Sequence, residues 1–123
     1  MTVQGAIASA EKILPGNTAP EGEQDARWQA LIAIGEYAQS DPAAIWPFAL
    51  KWGSHEDEDL RAAVATVLLE HFLEYHFDLI FPKVEAAVRS NPSFAKTFKL
   101  CGQFGQAEEQ SRAKRMARLK ASL

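Results

Sequence analysis

The period of its apolar residues constrains this chain more than any other feature. They recur at three- and four-residue spacings almost throughout, and no window alternates apolar with polar over the length of a strand. An all-α fold is expected. Asp41 before Pro42 and Asn91 before Pro92 each place a capping side chain ahead of a proline, whose missing N–H costs nothing at the first helical position. Ser54, followed three residues later by Asp57, resembles a capping box, with Glu56, Asp57, Glu58 and Asp59 in a first turn where the helix dipole favours negative charge. These signals predict helices over 6–14, 25–40, 42–53, 54–76 and 78–90, another from Asn91, and a last one over 107–122. The stretch 15–24, with two prolines and two glycines, reads as a loop.

Pro47 and Pro82 fall inside predicted helices, where the ring removes one hydrogen bond and bends the axis. Both belong to a repeat. Asp25-Ala26-Arg27 matches Asp59-Leu60-Arg61 at an offset of 34 residues, and Pro47 precedes Arg61 by the same 14 residues that separate Pro82 from Lys96. Arg27, Arg61 and Lys96 thus recur at 34 and then 35 residues.

The segment from Ile45, Trp46, Pro47 and Phe48 to Asp59, Leu60, Arg61, Ala62, Ala63, Val64 and Ala65 resembles the HEAT-repeat family, whose paired helices stack into α-solenoids, and in particular its short uncharacterised bacterial members. The resemblance covers about residues 5–105. It implies a short right-handed α-solenoid of about three HEAT-like helix pairs with a C-terminal basic helix. It also implies that Pro47 and Pro82 bend first helices, while Arg61 and Lys96 join a ladder between neighbouring units. Ile13 stands where the first unit would carry its proline, and His55 where the family usually has an acid six residues before the arginine. Solenoids mostly provide surfaces, so the implied role is a non-catalytic protein-protein interaction or scaffold module.

At 123 residues the chain suits one domain, 1–123. One cysteine, Cys101, excludes an internal disulfide and any cysteine-rich zinc site. The apolar runs fall short of the roughly 18 residues that mark a membrane span, and the first ten residues contain no Lys or Arg for a signal peptide. A soluble cytoplasmic protein is expected. The net charge of −3 conceals an asymmetry: residues 1–78 hold thirteen acids and four bases, whereas nine bases face three acids from Leu79 onward. A charged partner would distinguish the two ends.

The densest set of reactive side chains is Glu70, His71, Glu74, His76 and Asp78. On a continuous α-helix His71 lies on the apolar stripe with Val64, Val67, Leu68 and Tyr75, while His76, five residues on, diverges. A packed His71 and a surface or capping His76 are expected rather than a metal site, and no cofactor is implied. On the HEAT scaffold, deoxyhypusine hydroxylase holds two irons with several His-Glu dipeptides; this chain has only His55-Glu56. No serine or cysteine has a histidine relay, so no catalytic residues are assigned. Cys101, near Phe98 and Phe104, reads as a buried inert thiol. Trp52 shares a stripe with Ile45, Phe48 and Ala49 and reads as core, whereas Trp46 faces away from that stripe and Trp28 opens its helix, which leaves either one open to exposure. HEAT-like DNA glycosylases read bases from a basic groove, but all three tryptophans lie in the acidic part of the chain.

Two surfaces remain. The 34-residue offset aligns Glu36 with Glu70, so Glu36, Glu70 and Glu74, edged by Trp28 or Tyr37, form a candidate acidic ridge for a basic protein partner. The same ridge also fits a solvated face that keeps the molecule soluble. The C-terminal segment 110–123 carries Arg112, Lys114, Arg115, Arg118 and Lys120 beside a narrow apolar stripe. It reads as a capping helix, with contact to nucleic acid or an anionic membrane as the alternative.

Overall fold

The computed structural model describes residues 2–123, and among these every regular element is helical. The chain runs through α1 (Val3–Ile13), α2 (Ala26–Gly35) and α3 (Pro42–Gly53). One continuous helical path follows, made of α4 (Glu58–Ala63), a π-helical turn (Val64–Leu69) and α5 (Glu70–Tyr75). Then come α6 (Phe77–Ser90), α7 (Pro92–Lys99), a short 3-10 turn (Gly105–Glu108) and α8 (Gln110–Ala121). No helix is long and apolar enough to cross a membrane among the described residues.

Several helix ends depart from the sequence-based expectation. Asp57, not Ser54, caps α4, accepting the amides of Asp59 and Leu60 at 2.9 and 3.1 Å. Ser54 instead closes α3, its hydroxyl donating to the Leu50 carbonyl and accepting from Asn91 Nδ2. Asp41 precedes α3 without a capping hydrogen bond, so Pro42 alone marks that start, whereas Asn91 caps α7 through the Phe94 amide. The second helix stops at Gly35, and tighter turns carry the chain through Tyr37 and Ala38. His76, not Asp78, occupies the cap position of α6.

The helices adjoin in two rows. Within successive pairs, α1 packs on α2, α3 on α4 and the π turn, and α6 on α7. The first members adjoin in order, α1 to α3 and α3 to α6; the second members do likewise, α2 to α4 and the π turn, and the π turn to α7. Ala6 and Ala10, one turn apart and buried, let α1 approach α2 closely. The core between the rows is built from Leu31, Ile34, Ile45, Leu60, Val64, Leu68, Phe72, Phe94 and Phe98. Pro47 and Pro82 lie within α3 and α6, as the sequence predicts, and both are exposed.

The π turn sets the phase of the longest helical path. Leu60, Val64, Leu68 and Phe72 are all buried, as are Arg61, Ala65, Leu69 and Leu73. Four-residue steps drift about 40° each around an α-helix, so three steps would carry such a column well off its face. The wider i→i+5 winding takes back part of that drift. Both columns therefore stay on the core.

A second device ties the rows at their N-terminal edge. Arg27, 1% exposed, donates to Thr18 in the preceding loop at 2.9 Å, to Asp57 at 3.0 Å and to Asp59 at 2.5 Å. Asp25 caps α2 through the Arg27 amide and also pairs with the Arg27 guanidinium. Burial pushes the Asp25 carboxyl up, but the hydrogen bonds from Arg27 outweigh it and hold the group below its ordinary range. For Asp57 the Leu60 amide leads, against a smaller opposing effect of burial, with Arg27 adding to it, and the pKa again falls. Carboxylates whose folded pKa is depressed add stability above their unfolded value near 4, and that stability is lost as pH falls through the folded values. Replacing Arg27 with Met should cost about 2–3 kcal/mol at pH 7, below the value for a fully dry pair because the aspartates are partly solvated. Urea midpoints should show that cost shrinking below about pH 4; an unchanged penalty at low pH would contradict this account.

Candidate functional site

Between α2 and the π turn lies an open groove of about 420 Å³ lined by Ile32, Gly35, Glu36, Thr66, Val67 and His71. Ile32 and Gly35 of α2 and its C-cap residue Glu36 stand at i, i+3 and i+4, one helical face. Opposite them, Thr66 and His71 are five residues apart and share a side because the π winding brings i and i+5 into line. Gly35 permits the close crossing: a Cβ there would sit 3.1 Å from the Val67 carbonyl oxygen and 3.2 Å from its Cγ1. Ile32 is 44% exposed. Glu36 is exposed with no ion-pair partner among the described residues.

The expected ridge is thereby divided. Glu36 faces the groove, and Glu74 reaches it through His71, whose Nδ1 lies 3.3 Å from Glu74 Oε1. Glu70 is engaged elsewhere, its Oε2 accepting the Gly102 amide at 2.6 Å. Trp28, half-buried, shares the Ile32 column of α2 and donates its indole N–H to Asp59 at 3.2 Å. Tyr37, half-buried in the turn after α2, packs against the core.

His71 is a correction. It is exposed, not packed on the apolar stripe, and its ring stacks on Tyr75 at 6.4 Å and 6° between planes. The cause is the π turn, which rotates every residue after it and gives the buried positions to Phe72 and Leu73. The neighbouring titratable groups go separate ways: His76 Nε2 bonds the Gln39 carbonyl, and Asp78 pairs with Arg112. Among the described residues, no group of three or more His, Cys, Asp or Glu could hold a metal ion. Cys101 is buried, 3.7 Å from the Ala65 carbonyl, and burial pushes its thiol well above the ordinary range.

Other predicted aromatics and bases settle into packing. Trp52 is buried, and Trp46 is half-buried edge-on to Phe94 at 5.8 Å. In α8, Met116 and Leu119 are buried. Arg112 bonds Asp78 at 2.9 Å, Arg115 lies over Phe81 at 4.8 Å, and Lys120 bonds the Cys101 carbonyl. Three of the five basic residues thus hold the helix in place, while Lys114 and Arg118 stand exposed. Glu109 caps α8, and hydrogen bonds from the Ser111 hydroxyl, then from the Ser111 and Arg112 amides, hold its carboxyl down at about 2.

On the other flank of α4, facing α7, lies a cleft of about 430 Å³ lined by Glu58, Arg61, Ala62, Lys96, Lys99 and Leu100. Ile32, Val67 and Leu100 were not candidates from sequence. Comparison with protein-family models, with curated proteins and with solved structures finds no match.

The crossing at Gly35 yields a direct test. In an unobstructed helix Gly→Ala stabilises by up to about 1 kcal/mol. Here the facing atom belongs to helix backbone and cannot swing away, so Gly35→Ala should destabilise by about 1 kcal/mol. A thermal or urea midpoint equal to or above that of the parent would refute the close crossing.

Proposed function

We infer that this chain is a short right-handed α-solenoid of three HEAT-like helix pairs, closed at its C-terminal end by α8, and that it works in the cytoplasm as a non-catalytic protein-binding module. The order in which first members adjoin first members, and second members second, supports the repeat. So does Arg27, which reaches from one pair to Asp57 and Asp59 of the next, 30 and 32 residues away.

The observation that carries the binding role is the α2 groove, where exposed Ile32 stands beside unpaired Glu36 over a floor that includes Val67. An apolar contact flanked by a free carboxylate suits a basic amphipathic segment, one that inserts an aliphatic side chain over Val67 and sets a Lys or Arg against Glu36. Both Ile32 and Glu36 are exposed, so their replacement tests binding without disturbing the core.

A random peptide library selected on the purified protein should enrich sequences with Lys or Arg three or four positions from an aliphatic residue. Binding of the selected peptides should fall about tenfold with Glu36→Lys, and similarly with Ile32→Asp, at unchanged melting temperature. Selected peptides without a basic bias, or affinities that ignore both substitutions, would sink the reading.

A further inference from the structure

The two arginines that the repeat aligns, Arg27 and Arg61, are served differently. Arg27 receives carboxylates from the following pair, Asp57 and Asp59. Stepping on by 35 residues from those aspartates reaches Pro92 and Phe94, so the following pair offers Arg61 no acid. Arg61 is nevertheless 7% exposed. Its Nη1 is fully used, donating to the carbonyls of His55 at 2.8 Å and Glu56 at 2.9 Å. Its Nε has no hydrogen-bond partner, and Nη2 has only Glu58 Oε1 at 4.0 Å, on a side chain that is 92% exposed. Nε is buried as well as unpartnered, so the donor that Arg61 presents to the cleft is Nη2, whose hydrogens face no carboxylate within hydrogen-bond distance.

The surroundings define what would carry that carboxylate. Arg61 lines the cleft between α4 and α7 together with Lys96 and Lys99, both exposed and without acidic partners among the described residues. Ala62 and Leu100 add apolar lining, Leu100 being 52% exposed. Three cations face one anion, Glu58, whose contact with Arg61 is long and almost fully solvated and therefore weak. The cleft, about 430 Å³, has the size of a small-molecule site.

We propose that the α4–α7 cleft binds a carboxylate borne on a short apolar chain, with Nη2 of Arg61 donating to it, Lys96 and Lys99 closing over its oxygens, and the chain lying on Ala62 and Leu100. This supplies to Arg61 what Asp57 and Asp59 supply to Arg27. The site is independent of the α2 groove. The same chemistry could arrive as a free carboxylic acid or as a glutamate side chain between apolar residues.

The test uses the intact protein labelled with nitrogen-15, titrated with sodium hexanoate, with 1-hexanol, and with a capped Leu-Glu-Leu tripeptide. Hexanoate should shift the Arg61 Nε–H resonance saturably at millimolar concentration, and hexanol should not. Lys99→Ala should weaken hexanoate about fivefold and Lys99→Glu should abolish the shift, both at an exposed position that leaves folding intact. Tighter binding of the tripeptide than of hexanoate would assign the carboxylate to a protein partner, and the reverse order to a free acid; either supports the site. No movement of the Arg61 Nε–H with any carboxylate, or equal effects of hexanol, would overturn it. A failure confined to this cleft leaves peptide binding at Ile32 and Glu36 unaffected, so the two ideas fall separately.

Discussion

One guanidinium group organises the N-terminal half of this molecule. Arg27 sits where the loop after α1, the start of α2 and the start of α4 converge, and it bonds to all three. A buried arginine needs partners on every side, because an unpaired one would cost more than the fold can spare. Each partner is therefore fixed in turn. Asp25 and Asp57 cannot turn away without uncovering the charge, and both also cap helices, so the cap geometry of α2 and α4 is coupled to a single side chain. Trp28 is drawn into the same set through Asp59. The spacing between the first and second pairs follows from how far one arginine can reach.

The π turn is the second constraint. It is local in cause and long in consequence. With strictly α-helical winding, His71 and Tyr75 would follow Val64 and Leu68 into the core, and Phe72 and Leu73 would turn outward. The wider winding reverses this and leaves an imidazole over a groove instead of inside the molecule. Gly35 meets the widened backbone with no Cβ in the way. The groove, the close crossing and the exposed histidine are three effects of one change in hydrogen-bond register.

Much of this was legible from the residues. Helical period, the proline-marked starts at Pro42 and Pro92 and the loop over 15–24 all carry through to observed elements. His71 departs from its expected place because the helical period is not a constant 3.6 residues through Val64–Leu69. The columns Leu60, Val64, Leu68, Phe72 and Arg61, Ala65, Leu69, Leu73 held the warning, since four-residue apolar spacing sustained so long cannot stay on one face of an α-helix. Glu70 was misjudged for another reason. Its partner is the backbone amide of Gly102, and no side-chain pattern announces a hydrogen bond to a distant main-chain N–H. The end of α2 at Gly35 was missed because the turns beyond it keep a helix-like spacing of apolar residues.

The charge asymmetry of the chain takes a specific form in three dimensions. Along the row of second helices, the groove on one flank of α4 and the π turn carries the free carboxylate of Glu36, and the cleft on the other flank carries Lys96, Lys99 and the buried edge of Arg61. The change of sign occurs across one helix. The acids that answer Arg27, Asp57 and Asp59, have Pro92 and Phe94 35 residues further along the sequence. Phe94 gains burial there and packs on Trp46 and close to Gly53, which stabilises the third pair through apolar contact instead of ion pairing. That exchange leaves an arginine buried yet incompletely bonded. Arg61 thus has no carboxylate within hydrogen-bond distance where Arg27 has three, and its charge is met by two backbone carbonyls and by the exposed Glu58 at 4.0 Å.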